Sequence, residues 1–450
     1  MVSKVAIELD SNGLSRSLEI VNDLLKESAK QGASSADAGL SVDVGLSVTA
    51  RLGDVETVEH HKGQSFGVTV YFGQKKGSAN TTDFSLSALK DTVSAACRIA
   101  RYSTEDEFAG LPDADMLATQ FPELDLDHPW ALKVDEAIDL AVECENIARG
   151  YHEEIVNSEG ANVDTYQGMR VFGNSLGFLQ GERGTRHSLH CSVLGKRGDS
   201  MQRDYWYTVA RDKAELESAH TVGEKAASRT LRRLQAKSLS TRTCPVIYAA
   251  EVASSLVGHF IGAIRGGSVY RKSTFLLDYI DKSVFPPFVR IHEQPYLIKS
   301  LGGACYDSEG VSCKTRDIVS QGILKSYVLS SYSGRKLGMP TTGNAGGVHN
   351  LTVDPGSLDQ PGLLAEMGTG LLITELMGQG VNIVTGDYSR GAAGYWVENG
   401  EVQYPVEEIT VAGNLKDIFK NLVAVGNDVD LRGNTRTGSW LVEQMTVAGC

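Results

Sequence analysis

Ten histidines are the first places to look for chemistry in this chain of 450 residues. A zinc-activated water needs two imidazoles one helical turn apart and a glutamate beside them, so that ligands and base face one ion. Only two His-Glu pairs occur, and neither is completed. His152-Glu153 is followed by Val156 and Asn157 where a second histidine would stand, and His292-Glu293 by Tyr296 and Leu297. His187 and His190 lie in an alternating run, where odd spacing sends them to opposite faces of a strand. The adjacent His60 and His61 diverge for the same reason, and His128 and His220 suggest nothing further. Surface or hydrogen-bonded histidines therefore explain each better than a metal. A dispersed set such as His187, His190, His259 and His349 is the alternative for an independently active hydrolase.

Other chemistries leave weaker traces. Residues 266–273 (GGSVYRKS) approach the phosphate loop GxxxxGK[ST], but Arg271 stands where the second glycine must let the backbone wrap a phosphate. A turn with a basic rim is the better reading. No G-x-S-x-G occurs, and Cys191 is near histidines only in sequence. Three glycine-flanked polar runs are left, 341–350, 375–401 and 424–435. In the middle one Gly378, Gln379, Gly380, Gly386, Asp387, Ser389, Arg390 and Gly391 form the substrate-binding candidates, because glycine on both sides brings backbone close to a ligand. Plain hairpin turns and bulges explain the same glycines about as well.

The elements that must position these residues follow from periodicity. Residues 14–31 repeat apolar side chains at helical spacing. Alternating runs follow, with turns expected at Gly53-Asp54, Lys62-Gly63 and Lys76-Gly77. Asp83 is placed to cap a helix over 85–101, and another begins at Asp135. Residues 155–209 read as short strands split by glycines, and 212–236 as one long charged helix. A polar stretch at 237–243 divides the chain into an N-terminal unit, 1–240, and a glycine-rich unit, 241–450. The second unit opens with a strand at 245–249 that runs into a helix at 251–264, and carries hairpins at Gln321-Gly322 and Asn399-Gly400. The fold class is α+β, with N-terminal helices on an antiparallel sheet and a C-terminal mixed, β-rich unit with helices.

Composition narrows the partners. The formal net charge of −13 argues against nucleic acid, whose binding runs on lysine and arginine. Seven scattered cysteines without a CxxC suit a reduced, cytoplasmic chain. The stretch MVSKVAIELDSNGLSRS has no apolar signal-peptide core. Residues 246–264 carry Glu251, Ser254, Ser255 and His259, too polar for a lipid-spanning helix.

The runs ELMGQG, TGDYSRGAAG, WVENGEVQYPVEEITVAGNLKD and VGNDV, with GSVYRKSTFLLD and VETVEHH, resemble the TldD/PmbA metallopeptidase family, in its PmbA/TldE branch. The resemblance spans essentially the whole chain. It implies a cytosolic bacterial protease of two related chains that acts on unfolded or short polypeptides, in microcin maturation and antitoxin degradation. In that family the TldD-type chain holds zinc through a helical HExxxH and a cysteine near the C-terminus. On this chain the motif falls on Ala250, Glu251 and Ser255, with Thr437 the nearest counterpart of the cysteine; Cys450 stands too far along. His259 lies eight residues past Glu251, about 12 Å along a helix at about 1.5 Å per residue, beyond the reach of one ion. The resemblance thus implies no metal and no catalytic residue in this chain, with zinc in a TldD-type partner. Glu251 is then expected to be an acid favourable to a helix N-terminus. The 378–401 hairpin is expected to offer strand edges to an extended peptide. A non-enzymatic adaptor is the further alternative.

Overall fold

The computed structural model describes residues 7–449; Cys450 and the first residues of the N-terminal stretch lie outside them. The N-terminal part repeats one plan twice. First come α1 (Ser11–Lys30), β1 (Ser35–Arg51), β2 (Asp54–Phe72), β3 (Lys75–Thr81) and α2 (Leu86–Tyr102). Then come α3 (Val134–Gly150), β4 (Ile155–Asn174), β5 (Leu179–Arg197), β6 (Ser200–Ala210) and α4 (Ala219–Arg232). The strands make one antiparallel sheet in the order β3-β2-β1-β4-β5-β6, joined at its centre from Asp37↔Asn174 to Ala50↔Ala161.

Period-two burial along β1 dictates the layering. Ala36, Ala38, Leu40 and Val42 face α1 and α2, and Leu46, Val48 and Ala50 face α3 and α4. The Asp10 carboxylate starts α1 by accepting the Gly13 N–H at 2.7 Å. The turn after β1 is held from outside: the fully buried Glu145 accepts N–H groups from Leu52 and Gly53 at 2.7 and 2.8 Å.

Several local signals resolve differently from expectation. β2 runs unbroken through Lys62-Gly63, because β1 pairs with both residues (Val44↔Lys62, Asp43↔Gly63). The next turn sits at Gly73-Gln74, and Gly77 lies inside β3, where α2 crosses so closely that a Cβ would meet the Ala96 carbonyl at 2.3 Å. Ser85, not Asp83, caps α2, and Asp83 instead accepts the Ser85 N–H. Of the glycines in 155–209, Gly177 and Gly198 do split strands, in the turns after β4 and β5 with φ of 93° and 59°, whereas Gly168 and Gly181 lie within β4 and β5 and make room for Tyr166 and Leu14. The charged stretch from residue 212 forms a 3-10 turn before α4, which starts at its Ser218 cap.

After residue 241 the chain builds β7 (Arg242–Tyr248), α5 (Ala250–Ile264), α6 (Gly266–Tyr270), β8 (Ile291–Glu293), β9 (Arg316–Ser320), β10 (Ile323–Leu324), α7 (Ser331–Leu337) and β11 (Leu351–Val353). It continues with α8 (Gln360–Met367), β12 (Gly370–Met377), β13 (Asp387–Glu398), β14 (Glu401–Asn414), α9 (Leu415–Lys420), β15 (Leu422–Val425), β16 (Thr435–Arg436) and β17 (Trp440–Ala448). The main sheet is β14-β13-β12-β7-β17-β15, and it curls until β14 also pairs with β17. A smaller sheet has the order β10-β9-β8-β11-β16. The apolar side of α5 (Ala253, Leu256, Val257, Phe260) is buried, and Phe260 meets Phe285 edge-on with centroids 5.1 Å apart. Both expected hairpins form, at Gln321-Gly322 and Asn399-Gly400. No helix among the described residues is long and apolar enough to cross a membrane.

The fit of β3 under α2 is testable. Gly77→Ala places a methyl against backbone and is expected to cost about 1–3 kcal/mol in denaturant melts. Gly67→Ala, where a Cβ meets nothing within 4 Å, should stay within about 1 kcal/mol of wild type. Equal losses would show that the close approach is not what Gly77 provides.

Candidate functional site

The residues singled out at the start of α5 lie at the junction of the two halves. β7 delivers the chain into α5 with no side-chain cap at Ala249, so the helix begins at the surface of a cavity. Two adjoining cavities of about 410 and 290 Å³ open there, and both are lined by Trp206, Arg229, Glu251, Thr374 and Arg432. β6 supplies Asp204 and Trp206, and α4 with its C-cap supplies Arg229 to both cavities, Arg232 to the larger and Arg233 to the smaller. The second half supplies Ala250, Glu251, Ser255, Glu375, Arg390 and the segment 428–432.

Glu251 is held on both sides. The Arg229 guanidinium reaches its Oε1 at 2.8 Å, and Arg432 approaches Oε2 at 3.6 Å. Arg432 also donates to both oxygens of Asp430 at 2.9 Å and lies 4.0 Å from the centre of the Trp206 ring. Arg229 and Arg233 share Asp204, at 3.4 and 3.6 Å, and Arg233 takes Glu375 at 2.5 Å. Burial opposes the charge on Arg229, but Glu251 and Asp204 outweigh it and raise the guanidinium above its ordinary range. Arg432 is raised likewise, with burial opposed mainly by Asp430.

The positions where a zinc ligand set would stand have other occupations. Ala250 has no donor atom. The Ser255 hydroxyl donates to the Val252 carbonyl at 2.7 Å. Thr437 is fully buried, and its hydroxyl accepts the Trp440 indole N–H at 2.7 Å. This donor set does not fit a zinc ion. The dispersed histidines do not converge either. His187 bonds Thr165 and the His128 carbonyl, while His190 packs on Tyr205. His259 packs on Tyr388, and it is the backbone N–H of His349, not its imidazole, that donates to Glu293. Among the described residues, no three His, Cys, Asp or Glu side chains are grouped to hold an ion.

Of the glycine-flanked candidates, only Arg390 lines these cavities. Gly378 and Gly386 adopt positive φ at the two ends of a loop that folds back on β13, where Ser389 N–H donates to the Gly380 carbonyl at 2.7 Å. Gln379 and Ser389 are exposed, and Asp387 bonds Thr385 and Asn414 in the same loop. Gly391 sits opposite Met377 in the ladder. The expectation of free strand edges here is corrected: β13 is paired on both sides, by β12 and β14, so its backbone has no open row for a peptide. Residues 266–273 form a short helix and turn, with the Arg271 guanidinium 5.3 Å from the centre of its neighbour Tyr270's ring.

The chain matches family models over most of its length. Residues 36–100 match domain 1, residues 127–234 the central domain and residues 241–449 the C-terminal domain of the PmbA/TldA metallopeptidases. The chain belongs to the PmbA/TldD metallopeptidase family. It is 50% identical over 414 residues to the metalloprotease PmbA of Escherichia coli O157:H7, covering 92% of each chain. A Bacteroides thetaiotaomicron crystal structure, described as a candidate modulator of DNA gyrase, superposes with TM-score 0.92 at 25% identity, covering 98% of this chain and 100% of that one. TldE from Thermococcus kodakarensis has the same fold, with TM-score 0.81 at 17% identity over 96% of this chain and 100% of its own.

Sequence reasoning missed Trp206, Arg229, Arg233 and Arg432 as site residues. The 229/232/233 spacing was the available signal, but nothing local says that this helix face meets α5. The clamp predicts its own energetics. Arg432→Ala leaves Asp430 and part of Glu251 without a cation and bares Trp206, so it should lower the unfolding free energy by about 3 kcal/mol in urea. A loss below about 1 kcal/mol would mean that solvent already screens these pairs.

Proposed function

We propose that this chain is the non-catalytic half of a two-chain, cytoplasmic metallopeptidase. A TldD-type partner carries the zinc on its HExxxH helix, and residues 241–450 here are the equivalent of that metallopeptidase domain. Residues 1–240 complete the chamber. The complex cleaves unfolded or short polypeptides, of the kind met in microcin maturation and antitoxin degradation. This chain shapes the chamber and grips the substrate.

One observation carries the reading. The carboxylate that would act as general base is clamped by Arg229 and Arg432, and the flanking ligand positions hold Ala250, Ser255 and Thr437. A general base needs a metal-lowered water to deprotonate. Glu251 is ion-paired to two guanidiniums instead.

Co-expression with a TldD-type chain is expected to give a stable 1:1 complex with one zinc per pair, held by the partner. Glu251→Gln in this chain should change kcat of the complex by less than about threefold, since it removes an ion pair and not a base. A loss of kcat of about 100-fold or more, or one tightly held zinc in this chain purified alone, would overturn the assignment. Failure to co-purify with such a partner would favour an adaptor outside any protease.

A further inference from the structure

The smaller cavity has a charge that nothing among the described residues answers. Arg390 makes no ion pair and no side-chain hydrogen bond among the described residues, although its Nε is buried. Nε2 of His259, one helical turn beyond Ser255 on α5, is buried without a hydrogen-bond partner, and its ring packs edge-on against Tyr388 at 6.0 Å. Tyr388, two residues back from Arg390 on the same face of β13, lies in the core beside Tyr248. Burial first, and the Arg390 charge second, hold His259 below its ordinary range, so its imidazole is neutral at pH 7. Of the four guanidiniums that line the cavity, Arg229, Arg233 and Arg432 are paired and Arg390 is not.

A half-buried guanidinium without a counterion favours a ligand that is anionic and offers more than one acceptor oxygen. A carboxylate fits: one planar group can take the guanidinium fork. A phosphate dianion fits less well, because Asp204, Glu251 and Glu375 line the same cavity and repel a second negative charge.

We propose that Arg390 forms a carboxylate-binding subsite that anchors a peptide beside the clamped Glu251. The proposal deepens the substrate-gripping role above and rests on that role for the identity of the ligand as a peptide. The carboxylate comes either from the peptide's C-terminus or from an aspartate or glutamate side chain.

The test uses the full chain alone and a fluorescently labelled short peptide with one acidic residue and a free C-terminus, read by anisotropy. Arg390→Gln is expected to weaken binding about tenfold or more, and Arg390→Lys to recover part of it. Amidating the C-terminus should match the effect of Arg390→Gln if the chain end is the anchor; replacing the acidic residue with its amide should do so if the side chain is. Thermal melting separates site from scaffold: removing an unpaired half-buried charge should leave Tm unchanged or higher. Wild-type affinity in Arg390→Gln, binding indifferent to both peptide modifications, or a Tm lowered by several degrees in Arg390→Gln would each overturn the subsite. The assay needs no partner chain, so it can succeed where the two-chain reading fails, and fail where that reading holds.

Discussion

Seven side chains tie the halves of this molecule together and define its site at the same time. Arg229 of α4 and Arg233 at its C-cap reach across to Glu251 of α5 and Glu375 of β12, while Asp204 of β6 sits between the two guanidiniums. Arg432 answers from the other side, stacked on Trp206. Such pairs add little net stability, because taking each ion from water costs nearly what the attraction returns. Their effect is on geometry. Any sliding of α4 over α5 would leave a half-buried charge without its partner, so the register between the halves is set far more sharply than apolar packing alone would set it.

That geometry bears directly on chemistry. α5 begins without a side-chain cap and presents a glutamate in its first turn, an arrangement that favours negative charge there. Two guanidiniums flank that glutamate, at 2.8 and 3.6 Å, and the Trp206 ring lies 4.0 Å from one of them.

Local patterns disclosed those elements whose periodicity is self-contained. The helical repeat of α1, the alternation of β1 and the Asn399-Gly400 hairpin need only neighbours in sequence. Glycine misled where its cause was tertiary. Gly63 and Gly77 look like turn residues, but Gly63 accommodates the Asp43 side chain across the ladder and Gly77 the backbone of α2. The same limit applies to the site. Ala250, Glu251 and Ser255 were legible because they fall on one motif, and Arg390 because glycine-flanked polar runs are few. Trp206, Arg229 and Arg432 come from three distant segments, and only the placement of α4 against α5 gives them a common purpose.

Two buried polar clusters in the second half show how structural and functional polarity differ. Glu293 is almost wholly buried and accepts from Arg316, Asn344 and the His349 N–H at 2.8, 2.8 and 2.9 Å. Its charge is answered within the chain, and it joins β8 to β9 and to the 343–350 loop. Arg390 has the opposite sign and the opposite situation, without an ion pair or side-chain hydrogen bond among the described residues. A fold that satisfies one buried ion with three donors does not lack the means to satisfy another. Leaving Arg390 unpaired keeps an unmet demand at one place, and that place is a cavity that Glu251 also lines.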